Sequence, residues 1–192
     1  MGTFLTELEE LFGDLDMWKY LIQDLMGMVK YAPYGILIGG LIYIVLFFIR
    51  RKKSNRCKTL FCWEEMLFWI YLAIMMVITF FSREGGGGTG RIDLQIGSSL
   101  GINSRNNAYI AENMLLFMPF GFLLGMVWKA QRDWMNHLCI GFLTSFGIEC
   151  LQLVSGRGIF QADDMITNTL GSFIGYMICY IFINRKRKEH NA

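Results

Sequence analysis

Five apolar blocks, each close to twenty residues long, dominate this chain of 192 residues: 31–49, 60–81, 109–128, 134–154 and 165–183. A helix rises about 1.5 Å per residue, so about twenty residues cross the roughly 30 Å of hydrocarbon in a bilayer. Backbone amides find no water there, which makes a self-satisfied α-helix the natural form of each block. Composition agrees: 54% of residues are hydrophobic and 18% charged, too little charge to coat a water-soluble surface. The sequence therefore predicts an all-α fold, a polytopic membrane helix bundle with five transmembrane helices.

Ahead of the first block, Phe4, Leu8, Leu11, Leu15, Trp18, Ile22, Leu25 and Val29 recur at helical spacing, with Glu7, Glu9, Glu10, Asp14 and Asp16 on other faces. This is the pattern of an amphipathic helix. Its acidity disfavours anionic headgroups, so docking on the bundle is expected before adsorption to lipid or pairing with another copy. Residues 1–30 lack a basic start and an apolar core, so no signal peptide is expected. The chain divides into 1–30, the amphipathic helix; 31–90, two spans and a linker; 91–183, a three-span domain; and 184–192, a basic tail. The linker opens with Gly85-Gly86-Gly87-Gly88, expected to be mobile because glycine loses most entropy on ordering.

The net charge of +2 says little, but its distribution sets an orientation. An alternating path gathers Arg50, Arg51, Lys52, Lys53, Arg56, Lys58, Lys129, Arg132, Arg185, Lys186, Arg187 and Lys188 on one side. Only Lys19, Lys30, Arg83, Arg91, Arg105 and Arg157 fall on the other. Twelve against six places the C-terminus in the cytoplasm and the N-terminal helix outside. Both basic clusters sit where topology signals sit, so no nucleic acid is needed to explain them. The five cysteines are scattered and lack ligand spacing, so no disulfide framework, metal or cofactor is expected. No inverted repeat is visible, which argues against a secondary transporter.

Chemistry concentrates in the last three spans. Glu112 and Asn113 open the third span. Glu149 and Gln152 share a face near the outer end of the fourth, Arg157 lies in the short loop 154–161, and Asp163, Asp164 and Asn168 open the fifth. An ionised carboxylate in hydrocarbon costs on the order of 2.5–3.5 kcal/mol, so such groups seek partners. Arg157 keeps its charge and grips carboxylates with two bonds. A polar cluster of Glu149, Gln152, Arg157, Asp164 and Asn168 is expected, with Asn113 nearby and with Glu149 and Asp164 orienting Arg157. Three readings stay open. The cluster clamps three helices while Asp163 or Asp164 caps the last; it faces outward and binds a ligand; or its carboxylates do acid–base work. No nucleophile-plus-base arrangement accompanies them, and His137 and His190 fall on the cytoplasmic side. Glu64 and Glu65 suit the N-terminus of the second span and read as structural.

Pro119 removes a backbone donor midway through the third span and is expected to bend it. Gly121 and Gly125 follow, and Gly171 and Gly175 form a GxxxG in the fifth span. Small residues at this spacing let helices approach closely, here within the chain before between copies, so an oligomer stays open.

The run Asn113-Met-Leu-Leu-Phe-Met-Pro119-Phe120-Gly121-Phe-Leu-Leu-Gly125, then Glu149-x-x-Gln152, Gly156-Arg157 and Asp164-Met-Ile-Thr-Asn168-Thr-Leu-Gly171-x-x-x-Gly175, resembles the VanZ-like family over residues 91–183. Arg91-Ile-Asp-Leu-Gln-Ile is similar to the family's loop segment Arg-x-Val-Asn-Leu-Ile-Pro-Phe, with Asp93 in place of Asn and without the Pro-Phe. Residues 1–60 have no counterpart in the founding member, which is linked to teicoplanin resistance. The resemblance implies a multi-pass protein of a bacterial cell membrane that reduces susceptibility to lipoglycopeptides. Its partners would be membrane lipid and either a lipoglycopeptide or a lipid-linked cell-wall precursor. Two alternatives are an enzyme acting on such a precursor, with Asp163 and Asp164 holding a divalent cation, and a scaffold recruiting a partner through the N-terminal helix.

Overall fold

A computed structural model describes residues 15–53, 62–81, 92–97, 103–128 and 133–190. The start of the amphipathic pattern, the four-glycine run and Arg56, Cys57 and Lys58 lie outside them. Among the described residues, the fold has six helices and a two-residue strand pair. They are α1 (Leu15–Val29), α2 (Ala32–Lys53), α3 (Trp63–Phe81), β1 (Ile92–Asp93), α4 (Ser104–Val127), α5 (Trp134–Ser155), β2 (Phe160–Gln161) and α6 (Ala162–His190). Helices α2 to α6 are each long and apolar enough to cross a membrane. The chain is a polytopic helix bundle.

Several boundaries differ from the sequence expectation by a few residues, and those of α4 and α6 bear on the site. Helix α4 starts a turn early because Asn103, held extended, caps it by accepting the Asn106 N–H at 2.9 Å. Helix α6 starts at Ala162, which moves Asp163 and Asp164 off the cap and into the first turn, where they still complement the positive end of the dipole. At its other end α6 continues to His190, so most of the basic tail is helix.

Helices α4 and α6 form the central pair, with α5 against α6, α3 against α4, and α2 on the outer side of α3. Lipid is as apolar as leucine, so close backbone approach holds such pairs together. A Cβ on Gly121 would overlap the Ser172 carbonyl, one on Gly171 the Met114 carbonyl, and one on Gly175 the Met118 carbonyl. A Cβ on Gly125 would come within 3.1 Å of Cys179 Sγ. The four glycines serve packing within the chain. Gly35 and Gly39 do the same for α2 against the backbone of Ile74 and Ile70, a second GxxxG that the sequence reading passes over. The ion pair of Arg50 with Glu65 ties the end of α2 to the start of α3, which gives Glu65 a structural role.

The apolar core joins Phe68 and Met75 of α3, Phe117, Phe120 and Leu124 of α4, and Ile148 of α5. Pro119 sits inside an unbroken α4. Its missing N–H leaves the Leu115 carbonyl without the usual donor, and one residue on, the Tyr71 hydroxyl donates to the Leu116 carbonyl at 2.6 Å. Polar bonds between membrane helices average about 0.6 kcal/mol and reach about 1.7. Tyr71→Phe is therefore expected to cost about 1 kcal/mol, read by thermal unfolding in detergent.

Helix α1 docks on the bundle through Met17 and Leu21, both buried against Ala108 of α4. A second stripe, Leu15, Trp18, Ile22, Leu25, Met26 and Val29, stays exposed. The helix is thus apolar on two faces, one buried against α4 and one exposed. Truncating a buried Met or Leu to Ala costs about 2–5 kcal/mol. Met17→Ala with Leu21→Ala is expected to release α1, seen as faster proteolysis near Val29 while α2 to α6 stay protected.

Candidate functional site

The loop after α5 is shaped by its helix end. Gly156 takes the left-handed conformation (φ 67°), its N–H bonds the Leu153 carbonyl at 3.2 Å, and the Arg157 N–H bonds the Gln152 carbonyl at 3.0 Å. This paired closure of a helix needs glycine at the left-handed position. It projects Arg157 back toward α3. Beyond it, Phe160 and Gln161 pair in parallel with Ile92 and Asp93.

Two buried carboxylates pin this loop and its neighbour by their backbones. Glu149 Oε2 accepts the Gln161 N–H at 3.1 Å, and Asp163 Oδ1 accepts the Gly97 N–H at 2.7 Å. The segment 92–97 is therefore fastened to the site.

The C-terminus of α3 supplies the other anchor. A helix ends in carbonyls without intrahelical donors and carries a partial negative charge there. Gln152 Nε2 donates to the Thr79 carbonyl at 3.1 Å. Arg157 Nη1 donates to the Phe80 carbonyl at 3.0 Å, with its guanidinium 5.3 Å from the Phe81 ring centre. The bond that orients Arg157 thus comes from the end of α3, where the sequence pattern points to Glu149 and Asp164.

In front of these anchors lies a cavity of about 960 Å³ between α1, α3, α4 and the 157–164 segment. Of the residues the sequence singles out, Glu112, Asn113, Arg157 and Asp164 line it. Glu149, Gln152 and Asn168 stand behind it, each at most 4% exposed, with Asn168 Nδ2 donating to Ser145 Oγ at 2.9 Å. The expected single cluster is two sets: a buried clamp of Glu149, Gln152 and Asn168, and a lining set of Asn113, Arg157 and Asp164. Asp163 and Asp164 also part company, since Asp163 holds Gly97 while Asp164 faces the cavity.

Sequence reasoning missed three charged groups of the lining: Asp24 and Lys30 from the α1 end, and Arg105 from α4. Arg105 lies between the rings of Tyr20 and Tyr109, 5.1 and 4.9 Å from their centres. Its Nε donates to the Tyr109 hydroxyl at 3.0 Å, and its Nη2 lies 3.2 Å from Asp24 Oδ2. A usable signal existed in the four-residue spacings Tyr20–Asp24 and Arg105–Tyr109, which put an aromatic and a charge on one face of each helix. Arg105 reads as linker only because α4 starts early.

The lining carries three cations (Lys30, Arg105, Arg157) and three acids (Asp24, Glu112, Asp164), above an apolar floor of Ile78, Ile110 and Leu116. Such a surface suits a molecule with a polar or charge-balanced head and an apolar body.

Residues 68–183, more than half of the chain, match the family model described as VanZ/LLP1. Protein VanZ of Enterococcus faecium is 28% identical over 81 residues, which cover 41% of this chain and 50% of that protein. The chain therefore spans about half the length of the curated relative it matches. No solved structure matches it. The family match takes in α3, whose C-terminus holds Gln152 and Arg157, as well as α4, α5 and α6, and on this ground the chain belongs to the VanZ/LLP1 family.

Proposed function

We propose that this chain is a non-enzymatic membrane protein of the bacterial cell envelope that holds an amphiphilic envelope molecule in the cavity beneath α1, and that this lowers susceptibility to lipoglycopeptides such as teicoplanin. One observation carries the reading: charged groups from α1, α4 and the 157–164 segment converge over an apolar floor in a space of about 960 Å³. That is the size of a pocket for a small amphiphile. Arg157, Asn113 and Asp164 meet the head, Ile110 and Leu116 the apolar part, and the buried clamp keeps the wall in place. The charge count on alternate loops puts this cavity on the outer side, with the C-terminus in the cytoplasm.

Blocking the cavity tests the reading. A Cβ on Gly27 meets nothing within 4 Å, and Gly27 lines the cavity, so Gly27→Trp can place an indole in part of the space. In a susceptible host, at matched protein levels, Gly27→Trp and Asp164→Ala are each expected to lose most of the protection against teicoplanin that the unmodified chain gives. Full protection from both variants would overturn the cavity assignment.

A further inference from the structure

Helices α5 and α6 meet in a constant antiparallel register. Ser145 bonds Asn168. One turn away, a Cβ on Gly141 would lie 3.0 Å from Ser172 Oγ. One turn further, the His137 ring stacks on Tyr176 with centroids 4.4 Å apart and planes 26° from parallel. Each layer follows from the last by four residues in both helices. Extended toward the cavity, the same step sets Glu149 opposite Asp164. Four successive layers therefore carry polar side chains: Glu149 with Asp164, Ser145 with Asn168, Gly141 with Ser172, and His137 with Tyr176. Every one of these residues is buried. From Glu149 to His137 the helix rises about 18 Å, more than half of the roughly 30 Å hydrocarbon thickness.

Membrane helices do not need such a seam in order to pack, as the glycines of α4 and α6 show. Nor is it internally satisfied. Asn168 Oδ1, Ser172 Oγ and both ring nitrogens of His137 have no hydrogen-bond partner among the described residues. A polar group left unpaired in hydrocarbon costs several kcal/mol. Four such atoms occur in three consecutive layers, on one line, between small side chains. The ends of the line are titratable. Asp164 stands in the cavity wall, and the register sets it opposite Glu149, while His137 lies in the first turn of α5, beyond which Asp133 caps the helix. Tyr176 is the other titratable side chain facing the seam.

We propose that the α5–α6 seam is a hydrated proton path between the cavity and His137 at the far end of the helix pair. Its ligands are water and the proton. Asn168 Oδ1 and Ser172 Oγ hold the water. A proton leaves the Glu149–Asp164 layer, passes along that water and reaches the imidazole. The ring accepts it on one nitrogen as the other nitrogen releases its own to water at the N-terminal end of α5, and the carboxyl is reprotonated from water in the cavity, so only O–H and N–H bonds change. Chains of Asp, Glu and His inside membranes serve this role in general.

The test places the full-length purified protein in vesicles of zwitterionic lipid, with a pH-sensitive dye inside and the membrane potential clamped. After an imposed pH step, the wild type is expected to collapse the gradient several-fold faster than protein-free vesicles. Ser172→Val and His137→Phe should return the rate to the protein-free value. Ser172→Thr, which has the shape of valine but keeps the hydroxyl, should conduct, as should Leu143→Ala on the lipid-facing side of α5. A wild-type rate equal to that of protein-free vesicles overturns the proposal whatever the variants do. Equal rates for Ser172→Val and Ser172→Thr overturn the assignment to this seam.

Discussion

Gly175→Ala is expected to remove most of the folded protein, whereas Gly147→Ala leaves it intact or slightly more stable. The two substitutions are chemically the same and lie in neighbouring helices. At Gly175 the new methyl would sit on the Met118 carbonyl oxygen and against the Phe122 backbone nitrogen, while at Gly147 it meets nothing within 4 Å. Overpacking costs about 1–3 kcal/mol where side chains can shift. Backbone cannot shift without parting α4 from α6, so Gly175→Ala should exceed that range. On an open helix face the same change gains about 0.5–1 kcal/mol in helix propensity. The two variants should therefore differ by more than about 3 kcal/mol, measured as thermal unfolding in detergent at matched expression. Equal stability would mean that α4 and α6 do not approach as described.

Arg157→Ala is expected to abolish protection while the bundle stays folded. The guanidinium links two things: the carbonyl end of α3, through Phe80, and the cavity it lines. Removing it leaves α3 with the Gln152 bond to Thr79 and strips the cavity wall of a fixed cation. A hydrogen bond to a charged group contributes about 1.5–3 kcal/mol. A loss near 2 kcal/mol corresponds to roughly thirtyfold weaker binding. Arg157→Lys should recover only part of this. An ammonium can reach the Phe80 carbonyl or the cavity as a point charge, but it lacks the planar fork that serves both while resting on Phe81. Teicoplanin susceptibility at matched protein levels reads the ranking wild type, then Lys, then Ala. Equal protection from all three would remove Arg157 from the site.

The bundle was legible because hydrophobic length alone sets membrane spans, and all five were found with their ends within about a turn, except that α6 runs about two turns past the expected end. The site was legible by depth but not by direction. Position along a helix told that Glu149, Gln152, Asp164 and Asn168 share one half of the bundle. It did not tell which turn toward the cavity and which toward a neighbour, because that depends on the close α4–α6 contact. So Glu149 and Asn168 fell behind the cavity wall, and Arg157 found the end of α3, a partner without a charged side chain to announce it. Asp24 and Arg105 come from helices that meet only in the fold, and Asn103 as a cap was hidden among other polar residues. The rows His137, Gly141, Ser145, Glu149 and Asp164, Asn168, Ser172, Tyr176 were readable as four-residue periods. Their facing register was not.

The reading rests most heavily on what occupies the space beneath α1. Determination of the structure in lipid nanodiscs, with envelope lipids from the host present, addresses it directly. A polar head beside Arg157 and Asp164, with an apolar chain running along Ile110 and Leu116, is the expected density. Ordered lipid confined to the outer faces of α2 and α5, with the space between α1 and α4 collapsed onto itself, would contradict it.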